Sequence, residues 1–323
     1  MFEELPLVYL VAAWGLVGLF VGSFLNVCIH RLPLEGETVS KPRRSRCPSC
    51  KTTLTWKENV PLLSWLVQLG RCRTCGWRIP FRYPLVEALN AVLWAIVAGR
   101  YLPGEPLLVL TASVVLSGLL VATFVDFACF EIPDEVSIGG MVLAPIVSLL
   151  LPRLHDGTKL AWMMTPTGEA HVSRVGALTG CVAGMLLGGG ILWGLGWLGG
   201  RVFGRDAMGF GDVKLLAAGG GFIGPGGVVL ALMIAAVTAS LAGVGNIARF
   251  YVLVRSRARS RGSKRSVAKS LRTARIAGRY LPFGPYLALG IAIALLAWNE
   301  LATSLHSLGI PVFAWNDVER LLR

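Results

Sequence analysis

Charged residues are scarce in this sequence. They make up 15% of its 323 residues, while 54% are hydrophobic, and a globular domain usually has roughly a quarter charged residues. The mean hydropathy is +0.64. This composition excludes an ordinary soluble domain, and several apolar runs reach the roughly 17 residues that can cross a bilayer core about 30 Å thick. The sequence therefore predicts an integral membrane protein.

Histidine clusters and nucleotide-binding glycine motifs are also lacking. The four histidines are scattered along the chain and predict neither a metal cluster nor a catalytic base. No GxGxxG motif follows a predicted strand, which argues against a Rossmann-type cofactor site. The basic segment at 249–280 contains no acidic and few aromatic residues. This favours contact with the lipid bilayer over binding of nucleic acid.

The apolar runs predict an all-α polytopic membrane protein with about eight transmembrane helices. The first run follows Glu3 and Glu4 and not a basic stretch, which favours a retained helix over a cleaved signal. The sixth run is short and glycine-rich, which predicts a broken helix near residues 224–227. The expected spans are 7–28, 85–101, 107–127, 136–151, 175–198, 213–223, 228–248 and 283–303.

The basic residues predict an orientation in the membrane. Of the 31 Lys and Arg residues, 22 lie within 31–82 and 249–279. The positive-inside rule places both segments in the cytoplasm. Eight spans satisfy this placement when the N-terminus lies outside. Asp126 and Asp212 then both lie on the cytoplasmic side of the membrane.

Two aspartates stand at the edges of apolar runs. Asp126 ends the third span and Asp212 precedes the sixth. A charge at a membrane helix centre costs roughly 2.5 to 3.5 kcal/mol, so such residues are functional candidates. Two nearby carboxyl groups can share one proton and so act as acid and base in amide hydrolysis. Asp134 is a rival for the first position, but it follows Pro133 and is expected to cap a helix beginning near Glu135.

The segment around Asp212 has a second set of unusual residues. Gly209 and Gly211 flank Phe210 and permit close approach of a substrate strand, although an ordinary turn would use them as well. Lys214 has two interpretations of equal weight. It either favours an ionised carboxylate nearby or contacts lipid headgroups.

Four cysteines have the spacing of a metal site. Two CxxC pairs are separated by 21 residues, which predicts a closed tetrahedral zinc site that folds a loop of about fifty residues. Disulfides are the alternative, but a cytoplasmic loop argues against them. Cys28, Cys129 and Cys181 are expected to be apolar packing residues. The predicted zinc ligands are Cys47, Cys50, Cys72 and Cys75.

Further motifs surround these residues in a fixed order. They are GSFLNV at 22–27, HRLP at 30–33, ENVP at 58–61, RYP at 82–84, IPD at 132–134, GFGD at 209–212 and PFGP at 282–285. Together with the paired CxxC motifs, this set resembles the type IV prepilin peptidases, which are GxGD-type membrane aspartic proteases. The resemblance covers nearly the whole chain.

The resemblance implies an enzyme with two activities. Asp126 and Asp212 would be the catalytic pair that removes the short basic leader from prepilins and pseudopilins. The new N-terminal residue would then be methylated with S-adenosylmethionine. The protein would lie in a bacterial inner (plasma) membrane with its active site on the cytoplasmic side, and would serve type IV pilus assembly or type II secretion. The cofactor-binding residues remain unknown, with Arg31, Glu58 and Asn59 as candidates.

We expect three regions along the chain. Residues 1–29 form the first transmembrane helix, 30–83 the cytoplasmic zinc domain associated by resemblance with methyl transfer, and 84–323 the membrane peptidase domain with the basic loop at 249–280. Two other functions stay open at this point. One is a proton-coupled transporter with Asp126 and Asp212 as relay carboxylates, although no internal repeat is visible. The other is an assembly scaffold with an inactive site.

Overall fold

The structure is a computed structural model that describes residues 6–34, 36, 38–41, 44–155, 173–204, 208–260, 270 and 281–307. Across these ranges the fold is all-helical, and the only β-pairing is three isolated bridges. This confirms the predicted all-α class. His171 and most of the predicted basic loop, at 261–269 and 271–280, lie outside the described residues.

Eight α-helices make up the described part of the chain. Two short 3-10 turns accompany them, at Trp56–Asn59 and Pro152–His155. The helices are α1 (Leu7–Arg31), α2 (Leu63–Val67), α3 (Arg82–Tyr101), α4 (Pro106–Cys129), α5 (Asp134–Leu150), α6 (Arg174–Phe203), α7 (Phe210–Ser260) and α8 (Gly284–Ser307).

Each of the eight predicted apolar runs coincides with a helix, apart from a residue or so at the ends, and the sixth and seventh runs both lie in α7. Among the described residues, four helices are long and apolar enough by themselves to cross a membrane: α1, α4, α6 and α7. Helix α8 contributes a shorter apolar stretch, Gly284–Trp298. The protein is therefore a polytopic membrane protein.

Helix α7 is broken in the middle. Gly224 has φ 66° and ψ 176°, a conformation that is essentially restricted to glycine, and Pro225 follows it. This confirms the break predicted from the glycine-rich sequence. The half before the break is buried among three neighbours. Gly219 packs against Ile291 of α8, Gly220 against Gly184 of α6, and Gly221 against Ala144 of α5.

Helices α1 and α3 pack closely because small residues let their backbones approach. Gly18 lies against Trp94, and Gly22 lies against the backbone of Glu87. Asn90 Nδ2 donates a hydrogen bond to the Gly18 carbonyl at 2.7 Å. Residues 32–81, which we call the cysteine loop, join the two helices. Both ends of the cysteine loop are therefore attached to a closely packed pair of helices.

Candidate active site and cysteine cluster

Asp126 lies in the last turn of α4. The helix ends at Cys129, and the left-handed conformation of the next residue, Phe130 (φ 59°), terminates it. The Asp126 side chain is 5% exposed, and its Oδ2 atom has no hydrogen-bond partner among the described residues. The backbone of Gly284, at the start of α8, lies against this carboxyl group. One oxygen of this acid is therefore buried against the start of α8.

Asp212 lies in the first turn of α7. Its backbone amide donates to the Gly209 carbonyl at 3.2 Å, which closes the turn that begins the helix. The side chain is half-buried. It interacts electrostatically with Asp126. The two aspartates predicted as a pair are therefore brought together from helices that are more than eighty residues apart in sequence.

Both aspartates line one cleft of about 470 Å³, which we call the aspartate cleft. Its wall also contains Leu32 and Pro33, the first two residues of the cysteine loop. Exposed acidic residues from the start of α5 and the segment before it surround the mouth of the cleft. They are Glu131, Asp134 and Glu135.

Asp134 has a different environment from the other two aspartates. It is the first residue of α5, and its side chain forms an ion pair with Lys214. The side chain of Asp134 is 57% exposed. The ion pair agrees with the interpretation of Lys214 as the partner of a carboxylate. The expectation that Asp134 caps α5 was wrong, because the N-cap residue is Pro133 and no side-chain cap bond forms.

Ile132 and Gly284 are parts of the site whose roles the sequence did not reveal. Ile132 is 9% exposed and fits between two glycines, Gly211 and Gly284. A Cβ atom on Gly284 would overlap Asp126 Oδ2, and one on Gly211 would lie 3.2 Å from Ile132 Cβ. Helix α8 can therefore approach the acid only because residue 284 lacks a side chain. The PFGP motif was visible in the sequence, but its contact with Asp126 depends on tertiary packing.

The four predicted zinc ligands converge. The sulfur atoms of Cys47, Cys50, Cys72 and Cys75 all lie within 4.8 Å of one another, and all four are free thiols. Their positions could hold a zinc ion, which prefers four thiolates in a tetrahedral shell.

Two similar turns present these cysteines. In the first, the Cys47 amide donates to the Thr52 carbonyl at 3.0 Å, and the Lys51 amide donates to Cys47 at 2.9 Å. The second turn repeats both bonds exactly 25 residues later, at 2.8 and 2.9 Å. Each turn also contains an isolated β-bridge, Arg46 to Thr53 in the first and Arg71 to Arg78 in the second, again 25 residues apart. The cysteine loop therefore contains two copies of one cysteine-bearing turn.

The cysteine loop favours thiolates at two positions. Hydrogen bonding with the Thr52 hydroxyl lowers the pKa of Cys50 to about 6. Hydrogen bonds from backbone amides lower the pKa of Cys72, and the amide of Cys75 has the largest effect. Burial raises the pKa of Cys47 to about 11, so its thiolate needs a nearby cation such as a metal ion.

The other cysteines divide into two groups. Cys28 and Cys181 are buried, as predicted for packing residues. Cys129 is exposed at the end of α4, so it does not pack in the protein interior.

A second cavity of about 140 Å³, which we call the loop cavity, lies between the cysteine loop and the adjoining ends of α1 and α3. The three cofactor candidates all line it. Arg31 is buried and donates to the Val39 carbonyl at 2.9 Å. Glu58 accepts from the Thr55 amide at 2.9 Å and closes a capping box. The third candidate, Asn59, is exposed at the rim.

The fold and the aspartate cleft together define a polytopic membrane protein with a paired-carboxyl site. Two family profiles match the chain: Bacterial Peptidase A24 N-terminal domain at residues 16–101 and Type IV leader peptidase family at 113–244. The chain belongs to the type IV leader peptidase family.

Curated relatives extend this match over most of the chain. A prepilin leader peptidase/N-methyltransferase of Aeromonas salmonicida (strain A449) is 35% identical over 314 residues, covering 89% of this chain and 90% of the relative. A protein of the same name from Pseudomonas putida is 32% identical over 322 residues, covering 93% and 96%. No solved structure matches the chain. The transporter and scaffold alternatives gain no support from these matches.

Proposed function

We propose that this chain is a membrane aspartic endopeptidase that removes the basic leader from type IV prepilins and pseudopilins, with Asp126 and Asp212 as its catalytic pair. The observation that carries the assignment is that these two carboxyl groups line one cleft and interact electrostatically. Asp134, the third aspartate of the cleft, already has Lys214 as its ion-pair partner. It is therefore the least suited of the three to shuttle a proton.

The chemistry follows from two carboxyl groups that share one proton. The ionised group accepts a proton from the attacking water, while the protonated group donates to the scissile carbonyl or the leaving amine. The proton belongs to the pair and is assigned to neither residue. Asp126 Oδ2 is buried beside Gly284 and has no hydrogen-bond partner among the described residues. Its buried position excludes bulk solvent from the reaction.

The surroundings of the cleft suit a substrate with a basic leader and an apolar helix. Exposed Glu131 and Glu135 at the mouth favour basic residues through electrostatic attraction. Glu135 also borders an apolar groove of about 820 Å³ that runs between α1, α4, α5 and α7. A substrate helix in this groove would present its leader at the aspartates.

The second activity we propose is methylation of the new N-terminal amine, as the names of the relatives imply. S-adenosylmethionine, when bound, supplies an electrophilic methyl group to that amine. We further propose that Cys47, Cys50, Cys72 and Cys75 hold a structural zinc ion. Residues 30–83 would then form a cytoplasmic unit, with the membrane peptidase unit at 84–323 and the active site on the cytoplasmic side of a bacterial inner membrane.

The test of the peptidase assignment is cleavage of a prepilin by purified protein in detergent. Asp126→Asn and Asp212→Asn each remove ionisation with little change in shape, so we expect rates to fall by about 10²-fold to 10⁴-fold. Asp134→Asn is the matched control and should cleave at a rate close to that of the unaltered protein. Loss at Asp134 with survival at Asp126 would move the first acid to Asp134. Normal cleavage by all three variants would refute the aspartic mechanism.

A further inference from the structure

We infer that the loop cavity is the binding site for S-adenosylmethionine, with Asn26 and Trp77 as ligand-contacting residues. The inference rests on the proposed methyltransferase activity and assigns that activity a place in the molecule.

The loop cavity has room for a cofactor. A cavity of about 140 Å³ has room for about ten waters, since each needs roughly 10–15 Å³ of free space for its centre. Ten waters occupy on the order of 300 Å³ in the liquid, which is the volume open to a ligand. Small-molecule sites have roughly this size and combine apolar walls with a few polar groups.

Asn26 supplies an acceptor that the protein leaves unused. The side chain is 4% exposed and lines the cavity. Its Nδ2 atom donates to the Tyr83 carbonyl at 3.0 Å, which fixes the orientation of the amide. Its Oδ1 atom is buried and has no hydrogen-bond partner among the described residues. Buried polar atoms are normally satisfied, so this oxygen points to a ligand that donates a hydrogen bond.

The remaining walls match the parts of S-adenosylmethionine. The cofactor carries an ammonium group, a sulfonium centre, a carboxylate and a flat adenine ring. The carboxyl groups of Glu58 and Glu87 line the cavity and suit its cationic groups, while Arg46 suits the carboxylate. Half-buried Trp65 and Trp77 offer faces for the adenine ring or the sulfonium centre.

Glu87 also holds an unusual turn at this site. Its Oε2 atom accepts a hydrogen bond from the Leu62 amide at 2.8 Å. Leu62 has φ 58° and ψ −51°, and the Leu63 amide donates to the Pro61 carbonyl at 2.6 Å, which defines a rare and strained γ-turn. Strain of this kind persists only where the surroundings enforce it, and it concentrates at ligand sites. One carboxyl group from α3 thus shapes the loop side of the cavity.

The loop cavity adjoins the aspartate cleft. His30 and Arg31 line the cavity, whereas the next two residues, Leu32 and Pro33, line the cleft. One wall segment, residues 30–33, therefore borders both the cavity and the cleft. Arg31 is buried and bonded to the loop at Val39, which holds the wall in place. An amine released by cleavage is therefore formed beside the proposed methyl donor.

The experiment is calorimetric titration of the full chain, loaded with zinc in detergent, with S-adenosylhomocysteine and sinefungin. We expect Asn26→Leu and Trp77→Leu to weaken binding by about tenfold or more, as loss of a buried hydrogen bond or a ring contact does. Trp56→Leu is the matched control because Trp56 belongs to the same loop, is 75% exposed and does not line the cavity. It should bind like the unaltered protein.

A second measurement guards against misfolded variants. The unaltered chain is irradiated with radiolabelled S-adenosylmethionine, and the labelled peptide is mapped. A label within 23–31 or 45–87 supports the site, and a label elsewhere overturns it. Unchanged affinity in both cavity variants also overturns it, while leaving the methyltransferase activity standing. If the unaltered chain binds neither compound and methylates no prepilin, the proposed methyltransferase activity itself fails and the site falls with it.

Discussion

At the scale of single residues, the position of the Asp126 carboxyl group depends on Gly284, which has no side chain. A methyl group there would overlap Asp126 Oδ2 and lie 3.1 Å from Ile132 Cδ1. We expect Gly284→Ala to displace the carboxyl group by about 1 Å and to slow prepilin cleavage by about 10²-fold.

The control for this variant is Gly245→Ala, because a Cβ atom at Gly245 meets nothing within 4 Å. Cleavage rates of both variants are compared after their folding has been checked by melting. A Gly284→Ala enzyme with an unaltered rate would mean that α8 does not position the acid.

Among single residues, those that belong to a local sequence pattern could be predicted, and those that depend on a long-range contact could not. Asp126, Asp212 and the cysteines stand out because a charge in an apolar run and a repeated CxxC are local patterns. The contact between Gly284 and Asp126 joins residues 158 apart, and no local pattern encodes it. Asn26 is a similar case, since one polar residue in an apolar helix does not reveal which of its atoms is left unsatisfied.

At the scale of elements, the two cysteine turns should act through one metal ion. We expect the purified chain to contain about one zinc ion per molecule, and Cys72→Ser to reduce this content strongly because it removes one of four thiolates. Metal content is measured by mass spectrometry. Cys129→Ser is the control, since Cys129 is exposed at the end of α4, outside the cluster. Equal zinc content in both variants would contradict the assigned ligands.

The break in α7 yields a prediction about stability. Gly224→Ala places a side chain where φ is 66° and ψ is 176°, which should destabilise the protein by about 1 to 3 kcal/mol. Gly243→Ala lies in the same helix, meets nothing within 4 Å and should be neutral or stabilising. Thermal melts in detergent compare the two. If Gly224→Ala melts like Gly243→Ala, the break is not a required feature of the fold.

The helices themselves were largely predictable from the sequence, because the length of an apolar run determines whether it can form a membrane helix. The helix ends were less so. The start of α5 is an example, because Asp134 pairs with Lys214 and does not cap the helix. Here a tertiary partner decided the outcome over local preference.

At the scale of the whole molecule, His155 should make stability depend on pH. It is fully buried beside Ser148, whose Oγ lies 2.9 Å from Nε2, and burial lowers the pKa of His155 from 6.5 to about 4. Between these values the unfolded chain binds more protons than the folded chain. The stabilisation is therefore complete above pH 6.5 and declines as the pH falls towards 4, by at most about 3 kcal/mol.

Melting temperatures between pH 7 and 5 test this dependence. His155→Gln keeps a polar group near Ser148 but cannot gain a proton, so its melting temperature should fall less with pH than that of the unaltered chain. Parallel pH profiles for the two proteins would show that His155 does not titrate in this range.

The repeat in the cysteine loop has a consequence for the unfolded chain. A metal ion bound to both turns joins Cys47 to Cys72 and so closes a ring of 25 residues between the ends of α1 and α3. A covalent cross-link over such a ring stabilises a protein by about 3 kcal/mol by reducing the conformational entropy of the unfolded state. An ion held as firmly would act on α1 and α3 in the same way. It would keep the two helices close together even before they pack, so that the close approach at Gly18 and Gly22 forms from an already restricted ensemble.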